Sequence, residues 1–141
     1  MTEEIFNIEN KVIVLTGGLG QLGKAFISEI IKRNARVAVI DIFDSNHKKV
    51  LDVSKKFNDK NFLYVYTDIT QKKEIHTAKK QIIKTFGKVD VLINNAALDS
   101  PPNAPDSEVG RFEEYPEESF DKVMDVNVKG AYLCCQVFGE I

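Results

Sequence analysis

The 141-residue sequence contains no tryptophan, two methionines, two histidines and two cysteines. The cysteines are neighbours, Cys134 and Cys135, a spacing that suits neither a zinc site nor a disulfide framework; reduced, half-buried helix residues and no metal site are expected. His47 and His76 each fall on a polar helix face without a ligand partner at helical spacing, and read as surface residues. No run approaches the roughly 18 apolar residues of a membrane span, and the acidic opening Met-Thr-Glu-Glu-Ile-Phe-Asn is unlike a secretion signal. A cytoplasmic protein without a membrane partner is the expectation. A basic face for nucleic acid is missing too: the net charge is −2, and residues 101–141 carry nine acidic against three basic side chains. Lys72, Lys73, Lys79, Lys80 and Lys84, opposite an apolar stripe, read as a solvated helix face.

What is present is a globular composition, 43% apolar and 28% charged, enough for one domain with a core. Apolar runs alternate with helical periodicity. Lys11 to Leu15 predicts a strand; Leu22, Phe26, Ile27, Ile30 and Ile31 predict a helix with Asn34 as its left-handed stop; Arg36 to Ile40 predicts a second strand ending at Asp41. Val50, Val53 and Phe57 mark a helix, Phe62 to Tyr66 a strand, Ile75, Ala78, Ile82 and Phe86 a helix stopped by Gly87, and Val89 to Ile93 a fourth strand. Strands that are apolar throughout indicate a sheet covered on both faces. This βα alternation predicts an α/β, Rossmann-type doubly wound parallel sheet with strand order 3-2-1-4 and a ligand crevice between strands 1 and 4. Residues 98–115 read as a long loop at that edge, Pro116 as the first position of a helix, and Asn127 to Phe138 as a further helix.

The chemistry concentrates where strand 1 ends. Gly18-x-Gly20-x-x-Gly23 opens the first helix, and Asp41 follows the last glycine by 18 residues at the end of strand 2. Glycines there let a pyrophosphate approach the backbone, helix N–H groups from Gln21 onward face it, and an acidic strand end accepts bonds from an adenosine ribose while repelling a 2′-phosphate. NAD is therefore expected over NADP. A Walker-type phosphate loop does not fit, since no Ser or Thr follows Lys24.

Thr16-Gly-Gly-Leu-Gly-Gln-Leu-Gly23, Asp68 in Thr-Asp-Ile-Thr, Asn94-Asn-Ala-Ala97 and Asn127 in Val-Asn-Val-Lys-Gly together resemble the amino-terminal half of a short-chain dehydrogenase/reductase. The resemblance implies cofactor contacts at Thr16, Gly17, Gly18, Gly20, Gln21, Leu22, Gly23, Asp41, Ile42, Asp68, Ile69, Asn95, Ala96 and Ala97. It further implies that the Thr16 position braces the loop after strand 4, that the Asp68 position meets the adenine amino group, and that the Asn127 position belongs to the catalytic set by helping to hold a proton-relay water.

Two residues depart from the family pattern. Gln21 stands where the commonest form, TGxxxGxG, has its middle glycine, so the turn fits the TGxxGxxG of the extended branch; Ala97 replaces the glycine of NNAG. The family's catalytic Ser, Tyr and Lys have no counterpart: Tyr115 has Ser119 at the lysine spacing and Tyr132 has Gln136. Tyr115 reads as a helix-start aromatic and Tyr132 as a packed helix residue. Residues 1–141 are thus expected to be a partial NAD-binding domain, ending within a helix before a fifth strand and inactive alone. The whole protein is expected to be a homo-oligomer that transfers a hydride between nicotinamide and a small alcohol or carbonyl substrate. A non-catalytic dinucleotide-binding module and a nucleotide-sugar epimerase or dehydratase of the extended type stand as alternatives.

Overall fold

A computed structural model describes residues 7–57, 60–99 and 105–140. Four parallel strands, β1 (Val12–Thr16), β2 (Arg36–Asp41), β3 (Phe62–Tyr66) and β4 (Val91–Ile93), form a sheet in the order β3-β2-β1-β4. Helices α1 (Gln21–Lys32), α2 (Lys48–Ser54) and α3 (Lys72–Phe86) connect them. This is the expected strand order, with β4 shorter than its apolar run and α2 ending before Phe57, which packs against Phe62 instead.

The continuous apolarity of β1 and β2 has a direct cause. Val12, Val14, Ala38 and Ile40 point into one core with Ile75, Ala78, Ile82 and Phe86 of α3, while Ile13, Leu15, Val37 and Val39 point into the opposite core with Ile27 and Ile30 of α1 and Val50 and Val53 of α2. With both faces covered, each buried branched side chain contributes roughly 1.5–3 kcal/mol. Left-handed backbone ends the helices as expected, at Asn34 (φ 58°) after α1 and at Gly87 (φ 83°) after α3. Arg36 at the start of β2 donates to the Phe86 carbonyl (3.1 Å) and lies over its ring, so a strand start caps a helix end.

Beyond β4, α4 (Asp106–Val109) and a 3₁₀ turn (Phe112–Glu114) occupy the described part of the predicted 98–115 loop; Pro101 and Pro102 lie outside the described residues. The two predicted later helices are one continuous rod: α5 (Glu117–Met124), a π-helical segment (Asp125–Gly130) and α6 (Ala131–Phe138). Pro116 precedes its first turn as N-cap.

Several surface expectations change. Lys72 reaches Gln136 (2.9 Å) and Lys79 reaches the Val137 carbonyl (2.6 Å), so part of the expected solvated lysine face clamps α3 to α6. His47 is at the surface as expected, and there it also caps α2 by accepting the Lys49 N–H at Nδ1 (3.1 Å). Cys134 is fully buried, which pushes its thiol up to about 12, whereas Cys135 is exposed. Tyr132 is also exposed rather than packed. No helix among the described residues is long and apolar enough to cross a membrane.

Candidate functional site

A cleft of about 720 Å³ opens at the carboxyl ends of the strands, where β1 lies between β2 and β4. Its first wall is the glycine turn. The Gly17 N–H extends the β1–β2 ladder to the Ile40 carbonyl (2.9 Å), and its φ of +63° and an added Cβ 2.6 Å from the Ala96 Cα both exclude a side chain. A Cβ on Gly18 would meet Val39 at 2.6 Å, and one on Gly23 would meet the Gly18 backbone at 2.5 Å. Gly18 and Gly23 therefore pack the turn from behind the cleft rather than line it.

Gly20 differs. Its φ of −73° is ordinary, and a Cβ would come no closer than 3.4 Å to the Gly17 carbonyl. Among the described residues nothing requires a glycine there, yet the residue faces the cleft. It caps α1, whose first backbone bond is Lys24 N–H to the Gly20 carbonyl (3.2 Å). The N–H groups of Gln21, Leu22 and Gly23 precede that bond and have no helical carbonyl behind them, and the first turn carries no acidic residue. An oxyanion approaching over Gly20 would meet these donors, so the cradle fits a dinucleotide's pyrophosphate. The periodicity of α1 misplaced two residues: its core face is Gly23, Ile27 and Ile30, while Leu22 and Phe26 are exposed and Leu22 borders the cleft.

Asp41 forms the second wall. It is 8% exposed, and its carboxylate accepts the Leu19 N–H (3.0 Å) and the Ile42 N–H (2.8 Å), tying strand 2 to the glycine turn. Each oxygen retains a further acceptor position. Ile42 and Phe43 continue this wall. Across the floor, Asp68 accepts from the Thr70 N–H and hydroxyl (2.9 and 2.7 Å) while its own N–H donates to Glu74 (2.8 Å), fixing the turn into α3. Ile69 is buried against Gly130, where an added Cβ would lie 2.7 Å from its Cδ1.

The third wall is the segment after β4. Thr16, behind the cleft, accepts the Asn95 and Ala96 N–H groups, and the Asn95 amide donates to the Thr16 and Gly17 carbonyls. Ala96, Ala97 and Leu98 then line the opening. Asn127, in the π-helical segment, lies outside the lining and grips Leu98 from behind, accepting its N–H (2.7 Å) and donating to its carbonyl (2.9 Å). Both polar atoms of its side chain hold the Leu98 backbone.

Of the residues expected from sequence, Gly17, Gly20, Gln21, Leu22, Asp41, Ile42, Asp68, Ile69, Asn95, Ala96 and Ala97 border one cleft, while Thr16, Gly18, Gly23 and Asn127 support it from behind. Ile40, Phe43, Thr67, Thr70, Leu98, Asp99 and Val126 border it as well and were missed. Phe43 and Leu98 directly follow recognised segments and could have been reached by extending them; Val126 is apolar in a helical stretch and carries no such mark.

Comparison with known proteins gives a consistent picture. An NAD-dependent glycerol dehydrogenase from Listeria innocua is 34% identical over 135 residues, covering 96% of this chain and 48% of the relative. A sorbitol-6-phosphate 2-dehydrogenase from Klebsiella pneumoniae is 30% identical, with 92% and 46% covered. The crystal structure of a 3-ketoacyl-(acyl-carrier-protein) reductase from Brucella melitensis, complexed with NADH, superposes with a TM-score of 0.78 at 29% identity, covering 92% of this chain and 48% of that one. The chain thus spans about half the length of the relatives it matches. Residues 11–140 match the family model described as short chain dehydrogenase, and the chain belongs to that family of oxidoreductases.

Proposed function

We propose that this chain is the NAD(H)-holding half of an oxidoreductase that interconverts an alcohol and a carbonyl, with a polyol or sugar as the substrate class. The observation that carries the cofactor choice is Asp41, a carboxylate held at the cleft by two backbone N–H groups with acceptor positions remaining. A ribose diol is a donor pair that such a group binds; a 2′-phosphate would bring further negative charge against it.

The residues divide the work by position. Gly20 admits the pyrophosphate and the first turn of α1 donates to it; Asp41 takes the adenosine ribose, with Ile42 beside the base; Ala96 and Ala97 keep the opposite wall low enough for the dinucleotide to pass. When bound, the nicotinamide accepts or supplies the hydride that the reaction requires. Asn127 keeps Leu98 in place at the edge of the opening, and moving the hydroxyl proton requires an acid–base group, for which neither Tyr115 nor Tyr132 has a lysine four residues on. The polyol preference rests on the glycerol and sorbitol-6-phosphate dehydrogenases among the relatives.

The test is NAD reduction by the whole protein across a panel of polyols, sugars, hydroxy acids and hydroxyacyl thioesters. NADH formation with a polyol or sugar is expected. A whole protein that binds NADH and oxidises no alcohol in the panel would leave a non-catalytic binding module as the better reading.

A further inference from the structure

We propose that Tyr64, which does not itself border the cleft, positions the adenosine end of the cofactor by holding the Phe43 carbonyl, so that Ile42 and Phe43 stand as a fixed wall. This rests on the reading of the cleft as an NAD(H) site. The β2–β3 ladder ends at the pair Asp41 and Tyr66, with one more bond from the Thr67 N–H to the Asp41 carbonyl (2.8 Å). Past that point the chain leaves the sheet, and the Ile42–Phe43 segment has lost the ladder that held Asp41.

Tyr64 takes over from the ladder. Its hydroxyl donates to the Phe43 carbonyl, with the Asp41 carbonyl 3.2 Å away. The Phe43 ring is held from the other side: His47 lies 4.5 Å from it, centroid to centroid, and the Lys49 ammonium sits 4.4 Å from its centre. His47 is itself fixed as the cap of α2. Phe43 is thus anchored at its carbonyl by β3 and at its ring by α2. Beside it Ile42 stands exposed in the lining, an apolar surface next to the ribose-facing carboxylate and suited to the flat face of a purine. Burial, reinforced by the Asp41 carboxylate, raises the Tyr64 phenol above its ordinary value, so the hydroxyl remains a donor throughout the neutral range.

The test compares Tyr64→Phe with the unsubstituted protein for three ligands: NADH, ADP-ribose and reduced nicotinamide mononucleotide, which lacks the adenosine. Losing one hydrogen bond to the wall should weaken ADP-ribose and NADH by about fivefold and leave the mononucleotide within about twofold. Phe43→Ala, which removes the clamped ring from the same wall, should give the same pattern and covers the case in which Tyr64→Phe does not fold. Unchanged ADP-ribose binding in either folded variant, or equal weakening of all three ligands, would overturn the inference. If the unsubstituted protein binds none of the three, it is the NAD(H) reading that fails.

Discussion

Thr16 and Asn95 hold each other across β1 and the segment after β4. The Asn95 N–H donates to the Thr16 Oγ1 (2.9 Å) and the Asn95 side-chain amide donates to the Thr16 carbonyl (3.0 Å). The same Thr16 oxygen also accepts the Ala96 N–H (2.8 Å). One buried hydroxyl therefore sets the height of the cleft wall opposite the glycine turn.

Thr16→Val keeps the shape and removes that acceptor, leaving two backbone N–H groups without a partner. We expect a loss of about 2 kcal/mol in chemical denaturation, and near-recovery in Thr16→Ser. NADH affinity should fall with the valine and return with the serine, since the wall moves with its anchor.

The glycine turn makes a sharper distinction. Gly17→Ala should destabilise the fold by about 1–3 kcal/mol, because its positive φ and its approach to Ala96 are both required in the protein itself. Gly20→Ala should cost about 1 kcal/mol or less, the difference between the two residues as a helix cap. It should nevertheless weaken NADH by about tenfold or more, since the new methyl group occupies the path assigned to the pyrophosphate. Thermal melts and NADH titrations of both variants separate the two effects, and a Gly20→Ala protein that binds like the parent would place the phosphates elsewhere.

Asp90 gives the fold an acid dependence. Burial alone would raise its carboxyl, but the hydrogen bonds from Lys88 and the Val12 N–H, with the charges of Lys88 and Lys11, outweigh it and lower the group below its ordinary 3.8. A carboxylate lowered in the folded state contributes stability above its unfolded pKa and loses it as pH falls through the folded value. Asp90→Asn should therefore be less stable by about 1 kcal/mol at neutral pH. That gap should close as pH falls below about 4, which denaturant titrations at several pH values will show.

The sheet was legible because its chemistry is local. Apolar runs such as Val12 to Leu15 need only two covering layers, and the order of the elements with right-handed crossovers leaves one arrangement. Contacts between distant segments left no such trace. Periodicity could not separate Leu22, which faces the cleft, from Ile27, which faces the core, because both are apolar on one helix. Lys79 read as solvated until α6 lay beside it, and His47, exposed as its polar face indicates, gave no sign of its role as a cap, which depends on where α2 begins. Tyr64 was hidden for the same reason: its partner Phe43 lies 21 residues away, and only the strand register brings them together.

Occupation of the cleft by NAD(H), with Asp41 at the ribose, is tested by titrating the protein and its Asp41→Ala variant with NADH and NADPH, following nicotinamide fluorescence. Saturable NADH binding is expected, with NADPH weaker by about tenfold or more and a difference that largely disappears in the variant. No NADH binding, or NADPH bound as tightly as NADH by the unsubstituted protein, would overturn the assignment of Asp41 to the ribose of NAD(H).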